Sequence, residues 1–284
     1  GRYPPASAIK PAIAMYGIEE GLIDWNFSIF DEGFFTLPED GRIYRDWKEG
    51  GHGNTNLFKA ITQSSNTYFF DLAYRSDINQ LNKHLLSLGF GDKACIDCFE
   101  EDAVFVPEPS WKMNKHNFGW FKGDTVNMGV GQGYLVSTPV QLAKYAYIMA
   151  NKGKFSDLSL KKDLVKSKKS IEFNKFSNDD WFKLHESMIN VIEGNTGTAR
   201  RLREKKNYIV AAKTGTAELV SGDNREQYSE TRLDDNLRDH ALIIAFGPMP
   251  NPRYAVSVVV ENGESGGSVA GPVAISVLNS LIQE

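Results

Sequence analysis

Few cysteines, no long apolar run and no surplus of positive charge: these shortages narrow the possibilities first. The 284 residues hold two cysteines, spaced Cys95-x-x-Cys98. With no second pair in the chain, tetrahedral zinc binding through cysteine is excluded. The stretch Asp92-Lys-Ala-Cys-Ile-Asp-Cys98 reads as a loop, whereas a redox dithiol wants a helix start. A disulfide of an oxidising compartment and a pair of unlinked thiols both stay open. No run of 18 apolar residues occurs, so the given sequence carries no membrane span, and it shows no leader of the secretory kind. A net charge of −4 argues against a dedicated nucleic-acid surface. The locally basic stretch from Lys152 to Lys175 reads as a solvated loop. What remains is 41% hydrophobic content in a chain long enough for one large domain with a substantial core. Internal repeats are absent.

Three short strings carry chemistry: Ser7-Ala-Ile-Lys10, Ser64-Ser65-Asn66 and Lys213-Thr214-Gly215. A serine hydroxyl is a weak nucleophile until a base takes its proton. On a helix, a lysine three residues on sits one turn away on the same face. A lysine becomes a base when burial or neighbouring cations lower its pKa. Pro11 places the helix start close to Ser7, because proline is tolerated only in a first turn. The Ser7 N–H then lies at the positive end of the helix dipole, suited to an oxyanion. Ser64 and Asn66 offer a hydroxyl relay and an amide for Lys10 and a substrate. Lys213 offers a fixed positive charge for a carboxylate, and Gly215 lets a ligand approach a strand backbone. A second Ser-x-x-Lys string, Ser159 to Lys162, lies in a lysine-rich polar stretch with no apolar helix behind it.

Residues 7–22 read as the helix of the candidate nucleophile and residues 26–56 as a long structured loop. Helices follow at 64–74, with Ser64 near its start, and at 77–88. Ser137-Thr138-Pro139 is a cap and first-turn signal for a helix to about Ala150. Asp179 and Asp180 begin another, to about Ile192. Strands are expected at Tyr208–Glu218, His240–Phe246 and Tyr254–Glu261, a mobile loop at 220–238 and a closing helix at Pro272–Gln283. Helices first and then locally connected strands predict an α+β fold with an antiparallel sheet.

Taken with Tyr44-Arg-Asp-Trp47, Gly51-His-Gly53, Gly123-Asp-Thr-Val-Asn-Met-Gly-Val-Gly-Gln-Gly-Tyr134, Ser137-Thr-Pro-Val-Gln-Leu-Ala143, Gly197-Thr-Ala199, Lys213-Thr-Gly-Thr-Ala-Glu218 and Asp239-His240, the three strings resemble the transpeptidase domain of class B penicillin-binding proteins, and among them the elongation-type enzymes of rod-shaped bacteria. The resemblance covers nearly the whole chain. It implies a penicillin-binding/β-lactamase-like fold, with an antiparallel sheet flanked by helices and a mostly helical subdomain.

It implies that Ser7 attacks the penultimate D-Ala carbonyl of a peptidoglycan stem peptide, or a β-lactam, and that Lys10 takes its proton. Ser64 and Asn66 line the facing wall, Ser64 passing a proton to the leaving D-Ala. Lys213, Thr214 and Thr216 bind the terminal carboxylate, and the N–H groups of Ser7 and Thr216 form the oxyanion hole. An amine of a neighbouring stem peptide then releases the acyl group as a cross-link. No cofactor is implied. The implied partners are a membrane glycosyltransferase and an MreC-type scaffold, at the inner membrane with the catalytic domain in the periplasm. The family places an anchor, a pedestal and its first strands ahead of the serine, so residues 1–284 are expected to be the catalytic part of a longer protein. Ala6 stands where the family often has glycine, and Ser65 fills a position that the family varies.

Two other patterns compete. Gly263-Glu-Ser265-Gly-Gly267 matches a nucleophile elbow, but no histidine follows Ser265 to complete that order. Gly129-Val-Gly-Gln-Gly133 lacks dinucleotide-loop spacing. Related enzymes can carry a metal near Asp31, Asp46 and His52. Their spacing has no helical logic, and no metal site is assigned. The rival activities are a D,D-carboxypeptidase or β-lactamase on the same fold, with Glu172, Glu186 and Glu193 as candidate water-activating groups, or a β-lactam or muropeptide sensor.

Overall fold

The computed structural model describes residues 1–102, 104–164, 167–219 and 237–282. The candidate nucleophile sits in a 3₁₀ turn, Ala6–Ile9, that passes directly into α1 (Lys10–Glu19) with Pro11 in its first turn. The helix expected to reach residue 22 stops at Glu19. Gly21 there adopts φ +74°, which ends the helix at little cost for glycine. Every residue from Lys10 to Ile18 is buried, so α1 is a core helix, apolar all round, with one lysine at its head.

The expected loop at 26–56 is instead two small antiparallel ribbons. β1 (Ser28–Asp31) pairs with β4 (Gly53–Asn56), and β2 (Phe34–Thr36) pairs with β3 (Ile43–Arg45). The strands are three or four residues long and each turns few side chains inward, among them the facing pair Phe35 and Tyr44. Alternation that short leaves no period to read.

The helical part follows. α2 (Leu57–Gln63) starts at the Asn56 cap and α3 (Asn66–Arg75) at the Ser65 cap, with Ser64 between them in the left-handed region at φ +60°. The helix expected over 64–74 is thus α3, starting two residues later, while α2 ahead of it was not expected. α4 (Ile78–Ser87) is capped by Asp77. α5 (Pro109–His116) and α6 (Lys122–Gly129) were not foreseen. α7 (Pro139–Ala150) begins as expected, Thr138 and Gln141 forming a reciprocal capping box. A further ribbon, β5 (Lys154–Ser156) with β6 (Lys168–Ser170), lies in the basic stretch. α8 (Asn178–Glu193) starts at a Ser177–Asp180 capping box. Cys95 and Cys98 are joined by a disulfide.

The last third is the expected sheet: β7 (Ala211–Ala217), β8 (His240–Gly247) and β9 (Tyr254–Val260), antiparallel in the order β7-β8-β9. α9 (Gly271–Ile282) closes the described chain. Of the expected loop at 220–238, residues 220–236 lie outside the described residues. β8 shows why the sheet holds two layers together. Leu242, Ile244 and Phe246 join the core that contains α1, while Ala241, Ile243 and Ala245 join the core under α9. Successive strand residues face opposite sides, so one strand serves both. Among the described residues no helix is long and apolar enough to cross a membrane.

Candidate active site

The three strings converge. The 3₁₀ turn carrying Ser7 lies against β7 at Gly215, where an added Cβ would stand 3.2 Å from the Pro5 carbonyl and 3.3 Å from the Ala8 nitrogen. Glycine is what lets strand and turn touch. On the other side of the turn, Gly131 is pressed against Ala6, whose N–H donates to the Gly131 carbonyl at 2.9 Å. A Cβ on Gly131 would fall 2.2 Å from the Ala6 carbonyl. Ala6 itself adopts φ +48°, a conformation that strains any residue with a Cβ. Alanine at this position therefore carries a backbone cost that glycine would avoid.

Lys10 and Lys213 are both fully buried, and both donate to one oxygen. Lys10 Nζ lies 3.3 Å from Ser64 Oγ, 2.8 Å from the Ser64 carbonyl and 2.6 Å from Asn66 Oδ1. Lys213 Nζ lies 2.8 Å from the same Oγ and 3.0 Å from the Thr214 carbonyl. A hydroxyl has two lone pairs. With both accepting from lysines, the Ser64 O–H is left to donate elsewhere.

Burial lowers the Lys10 pKa to about 7, against the pull of Asp46, Asp31 and Glu218, which favour the charged form. Burial, and then the charge of Lys10, push Lys213 well below the ordinary lysine value. Lys213, expected to offer a fixed positive charge, points its Nζ inward at Ser64, where burial disfavours the charged form. Ser7, half-buried, forms no hydrogen bond with Lys10 among the described residues. The base stands one turn along the chain, as its spacing requires, with its head held by Ser64 and Asn66.

Buried groups outside the three strings hold this wall. Asp46 Oδ2 accepts from the N–H groups of Asn66 at 2.6 Å and Thr67 at 2.9 Å, capping α3 from a distant loop. Asp31 Oδ2 accepts from Ser65 Oγ and from His52 Nδ1, each at 2.7 Å. Trp47, 59% exposed, donates Nε1–H to the Ser64 carbonyl at 3.1 Å. Asp31, Asp46 and His52 thus meet despite their irregular spacing, one potential ligand atom from each lying within 4.8 Å of the others. Two carboxylates and an imidazole could hold a divalent cation. His52 Nε2 is buried without a partner among the described residues.

On β7, the Thr214 hydroxyl meets the Thr198 hydroxyl at 2.7 Å, and Gln132 Nε2 donates to the Thr216 carbonyl at 3.3 Å. Thr198 and Gln132 belong to strings that the resemblance already quotes, but only the structure gives them a contact. Ser159 of the second Ser-x-x-Lys string has its hydroxyl within hydrogen-bond distance of Asp97 and of the Lys161 carbonyl, on an exposed turn. No buried lysine joins it there.

The chain is similar to known proteins along its whole length. Residues 1–279 match the family described as the penicillin binding protein transpeptidase domain. The chain is 37% identical over 292 residues to the peptidoglycan D,D-transpeptidase MrdA of Haemophilus influenzae, covering all of this chain and 45% of that protein. The structure resembles Pseudomonas aeruginosa PBP2 in complex with WCK 5153, with TM-score 0.89, 35% identity and coverage of 100% of this chain and 62% of that one. It also resembles PBP2 of Helicobacter pylori in a complex with MreC, with TM-score 0.86, 31% identity and coverage of 99% and 50%. The chain spans about half the length of the curated relatives it matches.

Proposed function

The chain belongs to the penicillin-binding protein transpeptidase family, and from that premise we propose that it is the catalytic domain of an elongation-type peptidoglycan D,D-transpeptidase. The observation that carries this reading is the shared Ser64 hydroxyl, flanked by two fully buried lysines of which one has a pKa near neutrality. Nothing in packing calls for two buried amines around one oxygen, since burying a charge is costly unless the group neutralises.

In the proposed cycle Ser7 Oγ attacks the penultimate D-Ala carbonyl of a stem peptide as neutral Lys10 takes its proton. The developing oxyanion is held by the Ser7 and Thr216 N–H groups. Collapse of the tetrahedral intermediate breaks the amide bond, and the departing D-Ala nitrogen takes a proton from Ser64. Lys10 then returns the proton taken from Ser7 to Ser64 Oγ through the contact already made, and Lys213 holds that oxygen in place. Asn66 orients Lys10 and the substrate amide. Thr214 and Thr216 bind the terminal carboxylate, with Lys213 behind them and Gly215 leaving room along the strand. An amine of a second stem peptide attacks the Ser7 ester and loses a proton to Lys10; the acyl–Oγ bond breaks, Ser7 Oγ regains that proton, and the new amide is the cross-link. A β-lactam enters as a substrate mimic and stops at the acyl-enzyme. No step passes through a metal or cofactor.

Residues 1–284 are read as part of a longer protein anchored in the inner membrane, with this domain in the periplasm. The Cys95–Cys98 disulfide supports an oxidising compartment. An MreC-type scaffold and a membrane glycosyltransferase are the proposed partners, the first supported by the Helicobacter pylori complex.

The test is the intact-protein mass after benzylpenicillin, for wild type and Ser7→Ala. One stable adduct on the wild type alone supports the reading. Rapid loss of the adduct turns it towards a β-lactamase, and a Ser7→Ala protein that still labels removes Ser7 from its role.

A further inference from the structure

Beyond Thr198 the chain makes a 3₁₀ turn, Arg200–Lys205. This turn walls a cavity of about 430 Å³ lined by Asn195, Arg200, Arg201, Arg203 and Glu204. Three arginines and one glutamate line it, on a chain whose net charge is −4. Arg203 is committed. It donates to the Glu193 carbonyl and to Asn195 Oδ1, and lies 3.7 Å from the Glu193 carboxylate. Arg200 and Arg201 are exposed, and their guanidiniums make no hydrogen bond or ion pair among the described residues.

The cavity adjoins the candidate active site through one loop. Asn195 precedes Thr196, whose hydroxyl accepts from Gln63, the neighbour of Ser64. Arg200 follows two residues after Thr198, whose hydroxyl meets Thr214. Two trans peptide links span at most about 7 Å between Cα atoms. The unpaired guanidiniums therefore start beside the loop that braces both walls of the site.

We propose that this cavity is a second carboxylate subsite. Arg200 and Arg201 take a carboxylate that the peptide substrate carries at a residue other than its C-terminal one. A guanidinium presents paired donors in the geometry of a carboxylate, and charge-assisted pairs of this kind are the stronger hydrogen bonds. Glu204 offsets only part of the positive charge and disfavours a second anion beside the first. The inference rests on the transpeptidase reading and adds to it a preference for acidic over amidated peptide.

The test compares two synthetic peptides ending in D-Ala-D-Ala that differ at one internal side chain, carboxylate against carboxamide. For the wild type, kcat/KM for Ser7 acylation favours the acid by about tenfold. In the double variant Arg200→Gln, Arg201→Gln the ratio falls to near one, and in Arg200→Lys, Arg201→Lys part of it returns. Equal rates on the two peptides in the wild type overturn the proposal. So does a ratio that survives the glutamine pair, or an equal loss on both peptides, which marks a general basic surface. If the glutamine pair does not fold, the wild-type ratio at low and high salt decides, because a preference that does not shrink with salt is not an ion pair. Benzylpenicillin labelling of the wild type separates the two layers. Absent labelling removes the transpeptidase reading, whereas labelling without acid preference removes the subsite alone.

Discussion

Raising the pH from 6 to 8 should speed acylation of Ser7 by about tenfold. Lys10 is the base of the proposed cycle, and burial brings its pKa to about 7. For a group with that value, about 9% is neutral at pH 6, half at pH 7 and about 91% at pH 8. An unperturbed lysine, at about 10.4, would be neutral in fewer than roughly one molecule in a thousand at pH 7. Burial therefore raises the supply of free base by about three orders of magnitude, worth about 4–5 kcal/mol.

The assay is the second-order rate constant for benzylpenicillin, read by rapid quench and intact mass at constant ionic strength from pH 5.5 to 8.5. The expected curve rises with unit slope below pH 7 and flattens above it. Asp46→Asn should move the midpoint to lower pH, because the Asp46 carboxylate is the first of the charges that favour protonated Lys10. A rate flat across the window, or one still climbing at pH 8.5 with no bend, would refute Lys10 as a depressed base. A midpoint unmoved in a folded Asp46→Asn protein would refute the electrostatic link.

Lys10→Met should abolish labelling and raise stability. Between about pH 7 and 10.5 the unfolded chain keeps a proton on Lys10 that the folded chain has lost, so stability rises with pH across that window and the full cost applies below it. Denaturant melts at pH 6 should show a gain on the order of 2 kcal/mol after the lost hydrogen bonds are counted, shrinking towards pH 10; no gain at pH 6 contradicts the burial argument. Gly131→Ala places a Cβ 2.2 Å from the Ala6 carbonyl at φ +71°, so a loss of about 2–4 kcal/mol and slower labelling are expected, read by thermal melt and mass. Replacing Cys95 and Cys98 by serine opens a very short loop and should cost about 2 kcal/mol, with the acylation pH profile unchanged. A shifted profile would tie that loop to the site.

The elements that carry the candidate site were legible because each motif sits on a clear local signal: Pro11 marks a helix start, Thr138 a cap, and Ala211–Ala217 a buried strand. The three strands were foreseen to within a few residues because their apolar runs are long enough to carry a signal. The ribbons between 28 and 56 were missed, since three or four residues with little inward burial hold no period. The helix α2 ahead of Ser64 was missed because seven residues hold too few turns to show a period, and the left-handed serine that ends it looks like any other serine in sequence. The inward aim of Lys213 and the roles of Asp46, Trp47 and Thr198 depend on partners 16 to 149 positions away, beyond what spacing can report.

Those same separations set a clock. Ser64 receives one amine from 54 residues upstream and the other from 149 residues downstream. A chain made at the usual pace, or threaded N-terminus first at that pace, presents Ser7, Lys10 and Ser64 roughly 7–30 s before Lys213 follows. During that interval Ser64 lacks its second donor and Ser7 lacks the strand that packs against its turn. On the proposed cycle a newborn chain is therefore chemically silent, and its reactivity switches on only when the final third has folded back over the first.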